Sequence, residues 1–139
     1  MSSKRKDIRD AIAALLLAPA IPKVVGVFAN RIELFDKSEL PGVAIYSSDE
    51  NAVPRDTSNS RYIRSMNLVV EVIAQANSGL DDDLDEISDA IEERILGNQE
   101  LGGLAVGIAY LSTEIVLEGE SVQAAVGAAR INFEIKYIK

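Results

Sequence analysis

The sequence predicts an α+β fold: a largely antiparallel or mixed sheet of about five strands packed with two main helices, with a projecting β-hairpin arm. Three observations lead there. Apolar residues recur at helical spacing in two stretches, and strand-like runs come in adjacent groups, three and then two, rather than alternating with helices. The length, 139 residues, suits a single domain over 1–139 with one core. A hydrophobic content of 47% beside 26% charged residues lies far from the apolar-poor composition of disordered chains, so the chain is expected to fold.

In the first helix Ile8, Ala11, Ile12, Leu15 and Leu16 share one stripe, and Pro19 and Pro22 end it. Its start, Lys4-Arg5-Lys6, puts positive charge where the helix dipole disfavours it; the triplet is either a solvated end or a contact for an acidic neighbour. Val24 to Phe35 is rich in β-branched and aromatic residues, Asp36 to Pro41 breaks it, and Gly42 to Ser47 is a second short apolar run. Two strands are expected there. Asp49 to Ser60 has almost no large apolar side chain and carries Asn51, Pro54, Asp56, Ser58 and Asn59, the composition of an exposed loop. From Tyr62 to Ala76 the chain reads as one long strand, Leu68, Val70, Val72 and Ala74 alternating with Val69, Glu71, Ile73 and Gln75. At ~3.3 Å per residue such a strand reaches ~50 Å, more than a compact domain of this size covers. The strands flanking the loop are therefore expected to run past the core as the arm.

The second helix spans about Asp81 to Leu96, with Leu80, Leu84, Ile87, Ile91 and Ile95 on one face and Asp81, Asp82, Asp83, Asp85 and Glu86 in its first turns, where acid is favoured. Gly97 is the expected C-cap, and the glycine-rich Gly97 to Gly107 reads as connection. Strands at roughly Tyr110 to Glu118 and Ala128 to Ile138 close the chain; in the last, Ile131, Phe133, Ile135 and Tyr137 alternate with Asn132, Glu134 and Lys136.

With no cysteine and no histidine, disulfides, thiolate chemistry, cysteine-bound metals and the usual Ser-His-Asp arrangement are excluded. Carboxylate-pair, lysine-based or carboxylate–Mg²⁺ chemistry remains open. A net charge of −8 argues against gripping a phosphate backbone. No run approaches the ~20 apolar residues of a membrane span, so a soluble, cytoplasmic protein is expected.

Two constellations invite chemistry. Asp81, Asp83, Asp85 and Glu92 stand at positions 1, 3, 5 and 12 of a calcium-loop spacing, but position 6 is Glu86 where that loop needs glycine, and the apolar stripe requires helix. Around the loop, Asp49, Glu50, Arg55, Asp56, Arg61 and Arg64 bring charges of both signs together. They are either solvated connection or a contact with another subunit, since long structureless loops are commonly functional or disordered.

The order of these elements resembles the tail terminator family of tailed bacteriophages, the lambda-type minor tail protein U family. The resemblance is carried by the helix Ile8 to Leu16, by Val27-Phe-Ala-Asn-Arg31 and by Leu40-Pro-Gly-Val-Ala-Ile-Tyr46. It continues through Arg61 to Gln75, Leu80-Asp-Asp-Asp-Leu-Asp-Glu-Ile87, Thr113-Glu-Ile-Val116 and Ala129-Arg-Ile-Asn-Phe-Glu-Ile-Lys-Tyr137. It implies a non-enzymatic virion protein without cofactor, assembled in the host cytoplasm into a homohexameric ring. That ring would cap the tail tube, stop its polymerisation and offer a head–tail joining surface. The implied partners are the tail tube protein, a head-completion or connector protein, and a sheath protein if the tail is contractile. DNA would pass through the lumen without specific binding, and acid lining the conduit would keep it from sticking. The competing readings are another neck or head–tail completion ring protein, a carboxylate-dependent Mg²⁺ hydrolase, and a scaffold unrelated to phage.

Overall fold

The computed structural model describes residues 4–29, 41–54, 62–76, 80–121 and 124–138. Helix α1 (Lys4–Leu17) buries Ile8, Ile12, Ala13 and Leu16, the predicted stripe. Its last bond, Ala18 N–H to the Ala14 carbonyl at 3.2 Å, falls just before Pro19, which has no N–H to continue the ladder. Strands β1 (Gly26–Ala29), β2 (Gly42–Pro54) and β3 (Tyr62–Ala76) follow, then helix α2 (Leu80–Leu96), strand β4 (Gly107–Ser121) and strand β5 (Ala124–Ile138). The five strands form one mixed sheet in the order β1-β2-β3-β5-β4; β1 runs parallel to β2 and the other neighbours are antiparallel. The predicted α+β class is the observed one.

Strand register gives the sheet two unlike faces. Val43 and Ile45 lie across from Val72 and Val70, which in turn face Ala129 and Ile131; Leu68 and Met66 face Phe133 and Ile135. All of these are buried, and they share one core with Leu84, Ile87, Ile91 and Ile95 of α2 and the α1 stripe. Both helices therefore cover the same face, α1 over β1 and β2, α2 over β3, β5 and β4. The opposite face carries Tyr46, Glu71, Arg130, Asn132, Glu134 and Lys136.

Three expectations are corrected. Asp49 to Pro54 is not loop but the outer half of β2, paired with β3 as far as Pro54↔Tyr62. The polar composition suggested a loop, yet a strand already held in register by Val43 and Ile45 continues its ladder whatever its outer side chains, and it ends at a proline, which cannot donate. Strands β4 and β5 are also longer than their apolar centres indicated, because antiparallel pairing down to Ser121↔Ala124 carries the small residues between them into the sheet. After α2, finally, the left-handed residues are Leu101, Gly102 and Gly103 rather than Gly97, whose N–H stays in the helical pattern on the Glu93 carbonyl at 3.0 Å. The Asn98 side-chain amide supplies the cap, donating to the Arg94 carbonyl at 2.9 Å. The second half of the first predicted strand, 30–35, lies outside the described residues.

The length of β3 is matched rather than left over. It pairs with β5 from Ile63↔Ile138 to Ala76↔Ala125 and with β2 from Tyr62 to Ile73. The β2–β3 hairpin passes the end of β5 by the pair Pro54↔Tyr62 before entering 55–61.

Candidate interface at the hairpin base

Between Ser47 and Glu50 the β2 ladder gains one residue. This bulge keeps Glu50 on the helix-covered row, opposite Met66, where regular pairing would have put Asp49. The next residue of that row on β3 is Arg64, and Arg64 faces Tyr137 on β5. Glu50 thus sits where a core position would be expected, with only 14% of its side chain exposed.

Its charge is met from three sides. The Tyr137 hydroxyl donates a short hydrogen bond to Glu50 Oε1. The guanidinium of Arg64 lies 3.5 Å from Oε2, and that of Arg5, from the first turn of α1, 3.7 Å from it. One turn further along α1, Arg9 donates to the Ser47 hydroxyl at 3.1 Å. Together these contacts fasten the start of α1 to the hairpin. Burial, and then the bond to Glu50 and its charge, push the Tyr137 hydroxyl up to about 12. Among the described residues, the Nε atoms of Arg9 and Arg64 are buried without a hydrogen-bond partner. The adjoining cavity, lined by Arg5, Ser47, Ser48, Glu50 and Met66, measures about 70 Å³. That is room for a few waters and far below the roughly 300 Å³ at which small-molecule pockets begin.

Of the six residues singled out in the sequence, Glu50 and Arg64 are brought together here. The backbone of Asp49 belongs to β2, and Arg55, Asp56 and Arg61 lie outside the described residues. The sequence reading missed Tyr137, Arg9 and Ser47; Arg5 it gave, within Lys4-Arg5-Lys6, as either a solvated end or a contact for an acidic neighbour, and here it meets Glu50. For Tyr137 a signal existed: a buried tyrosine hydroxyl nearly always needs a partner, and the apolar alternation of β5 concealed that need.

The uncovered face has its own polar ladder. Glu71 accepts from Tyr46 at 3.1 Å and from Arg130 at 3.2 Å, and Asn132 donates to Ser112 at 3.2 Å. Burial and the Glu71 charge raise Tyr46 to about 12, while the Glu71 bond and charge raise Arg130. On α2, Lys23 bridges Asp83 at 2.9 Å and Glu86 at 2.8 Å. The helix runs unbroken through the acids of the calcium-like spacing, and among the described residues no group of acids is placed to hold a metal. Nor is any described helix long and apolar enough to cross a membrane.

The site is thus a set of polar clamps between elements, beside a cavity of water size. The family model for phage minor tail protein U matches residues 3–137, and the chain belongs to that family of phage tail structural proteins. Among solved structures, the fold is similar to a chain of the virion of native gene transfer agent (GTA) particle, with a TM-score of 0.65 at 16% identity, covering 95% of each chain. No curated protein matches the sequence.

Proposed function

We propose that the protein assembles into a closed ring of six copies that caps the tail tube, ends its polymerisation and presents the surface on which the head is joined. The observation that carries this reading is the family match over nearly the whole chain. The clamp around Glu50 supports it, because it fixes the base of a hairpin whose tip sequence, 55–61, carries no large apolar residue. In this reading the hairpin is a projecting arm, and Asp49, Glu50, Arg55, Asp56, Arg61 and Arg64 form its docking region. Glu50 and Arg64 hold the base, and 55–61 meet the neighbour: another copy, the tube protein, or a head-completion or connector protein, with sheath protein joining them in a contractile tail. The protein acts without catalysis, within the virion, after assembly in the host cytoplasm.

The test is tube growth. Purified protein added to polymerising tube protein is expected to bind tube ends and arrest elongation at substoichiometric amounts, with a six-copy mass at the end by native mass measurement. Tubes that lengthen unchanged in its presence overturn the terminator reading. Binding to connector protein in that case would favour another neck ring protein.

A further inference from the structure

The two helices carry opposite charge. Between Leu80 and Leu96, α2 holds eight acidic residues against Arg94, and so accounts for nearly all of the chain's net −8. Asp82, Asp85, Asp89 and Glu93 recur at helical spacing and are all exposed, forming one acidic stripe. Helix α1 holds four basic residues against two acidic ones, with Lys4, Arg5 and Lys6 exposed in its first turn.

Part of each arrangement works against its own helix. The dipole disfavours cations at the start of α1 and anions near the end of α2, where Glu92 and Glu93 lie. Like charges four apart, Asp85 with Asp89 and Asp89 with Glu93, repel as well. Among the described residues no salt bridge reaches Asp82, Asp85, Asp89 or Glu93; Lys23 is taken by Asp83 and Glu86. Asp89, Glu93 and Lys4 gain nothing from their own helices, and Arg5 and Lys6, although they meet Glu50 at 3.7 Å and Asp10 at 2.7 Å, stay about half exposed, so charge of opposite sign is left at both surfaces.

From this charge complementarity we infer that the acidic stripe of α2 on one copy docks against the basic first turn of α1 on another copy. A contact of α2 with α2 would set acid against acid, and one of α1 with α1 would set cation against cation. Only the cross-pairing is attractive. The inference rests on the self-assembly proposed above and names the surfaces that carry it. It also makes assembly salt-sensitive, because both surfaces are exposed.

Two variants test it, Lys4→Glu with Lys6→Glu, and Asp85→Lys with Asp89→Lys. All four side chains are exposed, and folding is checked by circular dichroism and thermal melting. In sedimentation at low salt, with tube protein present and absent, each variant alone is expected to associate roughly tenfold or more weakly than the parent. An equal mixture of the two, and a single chain carrying all four substitutions, should both recover. Variants that assemble as the parent does, or a mixture no better than its components, overturn the contact. Recovery in the form of a twofold dimer would leave the contact standing and remove the ring. A parent that stays monomeric under every condition removes both.

Discussion

Tyr137 stands at the end of a row of buried apolar residues on β5, itself 1% exposed, and its hydroxyl reaches Glu50. Removing that oxygen in Tyr137→Phe keeps the ring's packing but takes a donor from a carboxylate, which should cost about 1.5–3 kcal/mol near neutral pH in urea unfolding. The pH dependence has a definite sign. The folded-state value, about 12, lies above the ordinary 10.0, so the stabilisation is complete below pH 10 and is lost as pH rises through 12. The parent should weaken across that window and Tyr137→Phe less steeply, although not flatly, because Tyr46 is raised in the same way. Equal slopes for the two proteins would show that the hydroxyl is not held by Glu50. At this scale the sequence was legible where a side chain follows the pattern of its strand, as Phe133 and Ile135 do. It was opaque where a polar partner arrives from 87 residues away, as Glu50 does for Tyr137.

At the level of elements, α2 was the most readable. Its apolar period placed Leu84, Ile87, Ile91 and Ile95 in the core, and its boundaries differ from the expected ones by a residue. The acids of its first turn favour the dipole, so Asp82→Asn with Asp83→Asn should lower stability by about 0.3–1 kcal/mol each. Losing the exposed Lys23 partner adds little more. Calcium should leave the melting temperature of parent and variant alike unchanged; a rise in the parent alone would reinstate a metal site. Strands were less readable than helices because their extent is decided by partners distant in sequence. Nothing local in Asp49 to Pro54 announces the ladder it makes with Tyr62 to Met66.

For the whole molecule, the hairpin tip is the part that stability and assembly should judge differently. An exposed loop over Asp49 to Ser60 would be dispensable to the fold, but Glu50 anchors α1, Arg64 and Tyr137, and Asn51 to Pro54 are paired strand. The separable segment is 55–61. Replacing it with Asn-Gly joins Pro54 to Tyr62 by a two-residue turn that suits antiparallel strands. The melting temperature should stay within a few degrees of the parent's, since loop length itself costs little. Tail completion, scored by electron microscopy and infectivity, should fall sharply. Normal completion at normal stability would reduce 55–61 to connection.

The extra residue in β2 between Ser47 and Glu50 has a counterpart in β4, where Leu111 stands between Tyr110 and Ser112 without a partner in the β4–β5 pairing. In the language of genes, each is a place where the reading of the sheet forgives one lost codon. Without Ser48 or Asp49, Glu50 would still face Met66; without Leu111, Ser112 would still face Asn132. A codon lost from the middle of β3 would instead turn every following side chain to the wrong side. Changes in hairpin length can therefore accumulate at such points during divergence while the core keeps its frame, and chains of very different sequence can go on building the same sheet.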